Sequence, residues 1–166
     1  MSANESVNTT ANVPALVNST TTNTTIQIVT SAGVSDGWVQ IASHNGNPTG
    51  ASFGQTSLGR YINITASSSI NSSLSWAIIS MQYTAAELTA ANINESSLWI
   101  YWYNGSSWVP LNDTGFSGRI TTTDPRTVWA NVTHFSTFTA GGSSASQTTS
   151  ISLRSGWNLV SIPLNI

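Results

Sequence analysis

Apolar and polar residues alternate with a period of two over most of this chain, the pattern of strands that bury one face and wet the other. Thr24–Thr30 (TTIQIVT) and residues 38–43 (WVQIAS) alternate in this way, and the GVSDG at 33–37 between them reads as a turn. Residues 44–55 form a Gly/Asn/Pro loop. In 59–66 (GRYINITA), Ile62 and Ile64 share one parity, while Tyr61, Asn63 and Thr65 share the other. Leu74–Tyr83 (LSWAIISMQY) is apolar on both parities and predicts a central strand buried on two faces. Thr84-Ala85-Ala86-Glu87 is a capping box and predicts one short helix over 85–91. Residues 98–103 set Leu98, Ile100 and Trp102 against Trp99, Tyr101 and Tyr103. Asn104-Gly105 then predicts a type I′ hairpin turn, with Trp108-Val109 returning. A last strand is predicted over 127–139, with Val128, Ala130, Val132 and Phe138 on one parity and Trp129, Asn131, Thr133 and Phe135 on the other.

Short strands joined by polar turns, with one short helix, predict an all-β fold: an antiparallel β-sandwich, Ig-like or jelly-roll-like. The expected organisation is a polar Ser/Thr/Asn-rich arm over 1–23, the β-sandwich over 24–141, a flexible linker over 142–150, and an apolar terminal strand over 151–166. That last stretch (ISLRSGWNLVSIPLNI) follows a soft Ser/Thr tether and would be an aggregation hazard if left unpaired. It reads as a strand donor, with Ile151, Leu153, Trp157, Leu159, Ile162 and Leu164 filling pockets, or as the start of a further domain.

Composition changes the picture in one respect. Only 6% of the 166 residues are charged and lysine is absent, so Ser, Thr and Asn stand where charge ordinarily stands. Asn-x-Ser/Thr sequons occur at Asn4, Asn8, Asn18, Asn23, Asn63, Asn71, Asn94, Asn104, Asn112 and Asn131, about twice the roughly five expected by chance. They predict a glycosylated exterior on an exported protein, with sugars supplying the solubility. A net charge of −2 with scattered arginines offers no stripe for nucleic acid. No apolar run reaches the roughly 20 residues of a membrane helix, so no membrane insertion is expected. Cysteine is absent, and the N-terminus has no secretory leader pattern, so the chain reads as a mature or truncated form. His44 and His134 are distant in sequence, and neither has a carboxylate at ligand spacing, so neither a metal nor a cofactor is expected.

The blocks LGRYINITASSSI, YTAAELTAANINESSLWIYWYNGSSWVPL and VWANVTHFSTFTAG resemble a module repeated in archaeal surface proteins, over about half of the chain. The tail SGWNLVSIPLN is similar to the opening strand of another β-module of such proteins. The resemblance implies an extracellular, cell-surface structural role. More distantly, the hairpin and the VWANVTHFSTFTA strand are similar to the self-cleaving proteolysis-site domain of adhesion-type receptors. That likeness implies cleavage of the Phe135–Ser136 bond, with His134 as base and Ser136 as nucleophile. The paired cysteines of the receptor pattern are replaced here by ordinary core residues such as Leu98, Ala130 and Val132.

Three functions are therefore expected as alternatives. The favoured one is a non-enzymatic subunit of a surface filament or surface layer, whose partners are copies of itself joined head to tail by strand complementation. A second is a carbohydrate-binding module that stacks surface glycans on an outer row of Trp99, Tyr101, Tyr103 and Trp129. The third is autoproteolysis at Phe135–Ser136.

Overall fold

The structure, a computed structural model, describes residues 2–113 and 115–146, where the two-residue periodicity becomes eleven strands. These are Ser2–Thr9 (β1), Ala15–Ser19 (β2), Thr24–Thr30 (β3), Val34–His44 (β4), Thr56–Ala66 (β5), Leu74–Tyr83 (β6), Trp99–Tyr103 (β7), Trp108–Leu111 (β8), Ser117–Ile120 (β9), Arg126–Val132 (β10) and Thr137–Gly142 (β11). Two short helices, Ser68–Ser73 (α1) and Ala85–Ala90 (α2), join them. Six strands form one antiparallel sheet in the order β1-β4-β5-β11-β7-β8, and five form another in the order β2-β3-β6-β10-β9. This is the all-β sandwich that the alternation predicts.

The core lies between the sheets. Ile41, Ile62, Ile64, Leu98, Ile100 and Phe138 come from the six-stranded sheet, and Ile26, Ile28, Ala77, Ile79, Val128 and Ala130 from the five-stranded one, all almost wholly shielded from water. Each such Ile, Val or Leu contributes about 1.5–3 kcal/mol by leaving water. β6 is the middle strand of its sheet, as expected, but only Ala77, Ile79, Met81 and Tyr83 are buried; Trp76, Ile78 and Ser80 on its other parity are half-covered. A two-layer sandwich leaves one face of each sheet outside, and the apolar residues of that outer parity do not change this.

The N-terminal segment departs from the expected polar arm. β1 pairs with β4 from Ser2↔Ala42 onward, and β2 pairs with β3 from Ala15↔Ile28 to Ser19↔Thr24, so this segment supplies an edge to each sheet. An edge strand needs few inward apolar groups; Val7 and Val17 are buried, and Ala15 packs against the core. Buried hydroxyls stand beside them: Thr9 and Thr30 share a hydroxyl–hydroxyl hydrogen bond of 2.7 Å in the core. The turn expected at 33–37 is instead a bulge inside β4. Asp36 takes a φ of 56°, its N–H donates to the Asn8 Oδ1 at 2.9 Å, and the register slips between Val7 and Thr9.

One expectation about the connections holds and three change. The capping box at Thr84 and Glu87 is present, with the Thr84 Oγ1 accepting from the Glu87 N–H and the Glu87 carboxylate accepting from the Thr84 N–H. A second helix, α1, was not foreseen; the Ser67 hydroxyl caps it, and Ile70 plugs it into the core. The β7–β8 connection has four residues rather than a two-residue type I′ turn, because Tyr103 pairs with Trp108. Asn104 turns the chain with its side chain, its Oδ1 accepting from the N–H groups of Ser106 and Ser107, and only Gly105 takes a positive φ there. At the C-terminal end, Gly142 belongs to β11 and Ser143–Ala145 run beside residues 92–94, so the expected linker is held at its start. The strand-donor residues Ile151, Leu153, Trp157, Leu159, Ile162 and Leu164 lie outside the described residues.

Candidate functional site

The single strand expected over 127–139 is two strands in different sheets. β10 ends at Val132 in the five-stranded sheet, and β11 starts at Thr137 in the six-stranded one. Residues 133–136 carry the chain across the open end of the sandwich. Val128, Ala130, Val132 and Phe138 do all face the core, but Phe138 faces it from the opposite side. The His134-Phe135-Ser136 tripeptide is this corner. His134 is exposed, and its ring stands against Trp102 with centroids 4.3 Å apart at 68°. Ser136 donates its hydroxyl hydrogen to the Tyr103 carbonyl at 2.7 Å, and its own carbonyl accepts from the Ile64 N–H at 2.9 Å. These bonds pin the corner to β7 and β5. They direct the Ser136 proton to a backbone acceptor rather than to an imidazole, whereas a serine nucleophile needs a base within hydrogen-bond reach. Among the described residues, positive φ at non-glycine positions is confined to Asn12, Asn23, Asp36 and Asn92, all away from this bond.

The aromatic row divides between the sheets. Trp99, Tyr101 and Tyr103 belong to β7 in the six-stranded sheet, while Trp129 belongs to β10 in the other, so the four do not form one surface. Each has a structural partner. The Arg119 guanidinium lies 4.2 Å from the centre of the Trp99 ring and donates to the Leu98 carbonyl, tying the two sheets at their open side. Tyr101 meets Phe53 at 5.0 Å and 86°, and Trp108 meets Phe53 at 5.5 Å and Tyr103 at 5.6 Å. Phe53 arrives from the 45–55 loop and packs on the outer face against Tyr61, Tyr101 and Trp108; Thr139 on that face is fully buried. Neighbouring rings here stand at 51–86° to one another, so they do not present coplanar faces to a polysaccharide. Trp129 lies over Gly118, where an added Cβ would come within 3.0 Å of its Nε1.

Nine of the sequon asparagines lie on the outside of the two layers. Asn8, Asn18, Asn23, Asn71, Asn94, Asn104 and Asn112 are exposed, while Asn63 and Asn131 are half-buried on the outward parities of β5 and β10. Asn4 lies on β1 opposite Gln40. Several of the carboxamides are already employed: Asn18 accepts from the Thr25 hydroxyl, Asn94 caps the 3-10 turn at Glu95–Ser97, and the Asn71 Nδ2 donates to the Ala66 carbonyl.

Beside the corner lies a cleft of about 580 Å³ that sequence reading did not foresee. Trp102, Leu111 and Val132 line it from inward positions, Trp76, Asn131 and Phe116 from outward ones, and Asp113, Thr133 and His134 contribute polar groups. Phe116 is 60% exposed. The sequence offered one sign of it, an isolated aromatic between glycines in TGFSG. On the far side of the sandwich interior, the Tyr83 hydroxyl donates to the Glu95 Oε1 at 2.9 Å, and the Arg126 Nη1 lies 2.7 Å from both Glu95 oxygens. Burial first, then the bond to Glu95, holds the Tyr83 phenol well above the usual tyrosine range. This trio fastens the 3-10 turn to β6 and β10.

Among the described residues, no group of three His, Asp or Glu side chains could hold a metal ion, and no helix is long and apolar enough to cross a membrane. The fold defines the class as an antiparallel β-sandwich module. No family model, curated protein or solved structure matches the chain.

Proposed function

We propose that this chain is a non-enzymatic, glycosylated structural module of a cell surface, a subunit of a filament or surface layer that joins its neighbours by strand complementation. The observation that carries the reading is the placement of the sequons. Seven of the asparagines are exposed and the two half-buried ones point outward, so a chain with 6% charged residues carries attachment points for sugar around its whole exterior. The similarity of the 58–141 blocks to modules of exported archaeal proteins points the same way.

The sandwich is open, and this supports assembly through strands. β1 and β8 end the six-stranded sheet, and β2 and β9 end the other, so four rows of backbone groups lack a partner strand within the described sheets. An apolar strand over 151–166 from a neighbouring subunit would hydrogen-bond along such a row while its alternate side chains set the register. Contacts of this kind do not close on themselves and grow fibres. Deleting 151–166 is expected to convert polymers into soluble monomers or unstable protein, read by negative-stain imaging and sedimentation. Polymers unchanged by the deletion would refute strand exchange through this segment.

The non-enzymatic reading is supported by the Ser136–Tyr103 hydrogen bond, which directs the hydroxyl proton to a backbone carbonyl. Intact mass under denaturing conditions should show one polypeptide of full length. Two fragments meeting at Phe135–Ser136, abolished by Ser136→Ala, would establish self-cleavage instead.

A further inference from the structure

We propose that the cleft at the open end of the sandwich is the seat of the glycan carried by Asn131, whose first pyranose packs on Phe116 and reaches towards Trp76. The proposal rests on the reading of the chain as glycosylated and assigns one of its sugars a place in the fold.

Register brings the pieces together. On the outward face of the five-stranded sheet, Asn131 stands opposite Ile78 on one side, and its N–H donates to the Phe116 carbonyl at 2.7 Å on the other. That backbone bond continues the β9–β10 ladder by one step, beyond Ala130↔Ser117, and brings Phe116 level with Asn131. Both residues line the same cleft, together with Trp76 and Trp102. Three aromatic rings with Asp113, Thr133 and His134 among them match what a sugar requires: apolar faces for its C–H surface and a few polar groups for its hydroxyls. The volume, about 580 Å³, lies within the roughly 300–1,000 Å³ usual for small-molecule sites.

Asn131 also differs from eight other sequon asparagines. Seven of them are exposed, so a sugar there projects into solvent, whereas Asn131 is half-buried and its sugar must leave along the cleft. Asn63 is half-buried too, but its Oδ1 accepts from the Thr137 hydroxyl at 3.3 Å on the other sheet. The Asn131 carboxamide makes no hydrogen bond to a described residue. Thr133, the third residue of the sequon, is exposed. Attachment forms a bond from Nδ2 to C1 of a lipid-phosphate-linked sugar donor. The C1–O bond to the lipid phosphate breaks with its electron pair leaving on the phosphate, which takes up the one proton that Nδ2 loses, and Nδ2 keeps the other. Sugar–aromatic contacts are weak between free molecules, but a covalent tether of a few atoms raises the effective concentration to the millimolar range or above. The seated sugar would cover Phe116, which adjoins the unpaired edge strand β9, and so keep an exposed apolar group out of unwanted contacts.

The test uses the full chain from a host that glycosylates sequons, with occupancy at each site read by glycopeptide mass spectrometry. Asn131→Gln, and independently Thr133→Ala, should lower Tm by about 2–4 °C, and Phe116→Ala should lower it by a similar amount. The double variant Asn131→Gln/Phe116→Ala should be no less stable than Asn131→Gln alone. In chain made without glycosylation, Phe116→Ala should leave Tm unchanged. Additive losses in the double variant, an equal Phe116→Ala loss in unglycosylated chain, or no loss on removing an occupied Asn131 glycan would each overturn the proposal. An empty Asn131 with other sequons occupied would overturn it and leave the surface-module reading standing; ten empty sequons in the native material would remove that reading as well.

Discussion

Phe138→Ala is expected to cost about 3–5 kcal/mol of folding free energy, the range for deleting a fully buried aromatic side chain. Phe138 has no exposed surface. It sits at the centre of the six-stranded sheet, opposite Ile62 on β5 and Trp102 on β7, and points at the inner face of the other layer. The core it joins is rich in Ile and Val carried on laddered strands, so it has little freedom to collapse into the space left behind. The loss is a large part of the 5–15 kcal/mol that a domain ordinarily has in hand. Urea denaturation followed by tryptophan fluorescence measures it. A loss below about 1 kcal/mol would mean that Phe138 is not in the core and that the two-sheet assignment of 127–139 is wrong.

Gly141→Ala is expected to cost about 1–3 kcal/mol by overpacking, although it adds a single methyl group. The new Cβ would lie 2.6 Å from two ring carbons of Phe53 and 2.7 Å from the Thr56 carbonyl oxygen. The ring can shift only by lifting the 45–55 loop off Tyr101 and Trp108, and the carbonyl belongs to the neighbouring strand β5. In a Phe53→Ala background the ring clash disappears but the backbone clash stays, so part of the loss should persist. Gly46→Ala provides the comparison: nothing lies within 4 Å of its added Cβ, and its effect should stay within about 0.5 kcal/mol. Equal midpoints of denaturation for Gly141→Ala and Gly46→Ala would show that the loop does not close on β11 as described.

Much of the strand layout is legible in the residues because burial in a sheet imposes a period of two. Ile26 and Ile28, Ile62 and Ile64, and Leu98 and Ile100 all point where their alternation places them. The capping box at Thr84–Glu87 is equally legible, since it is a bargain between residues three apart. The first twenty residues hid their strands for a physical reason. β1 and β2 are edges that give the core one buried valine each, Val7 and Val17, beside buried hydroxyls such as Thr9 and Ser19, so composition there resembles a solvated tail.

The sequence alone determined the class of fold, the faces of most strands, and an exterior in which sequons take the place of charge, because these depend on local periodicity and on short motifs. Only the tertiary structure decided what those residues are near. Residues 127–139 read as one strand because their inward parity is continuous, yet the chain turns at 133–136 and offers Phe138 to the core from the opposite sheet. Trp129 looked like a companion of Trp99 and Tyr101 until the sheets parted them. Asn131, Phe116 and Trp76 gave no sign of belonging together, because they lie on three strands or their flanks and meet only through cross-strand register. Parity is a property of each strand by itself; which sheet a strand joins, and at what register, depends on pairings between distant parts of the chain.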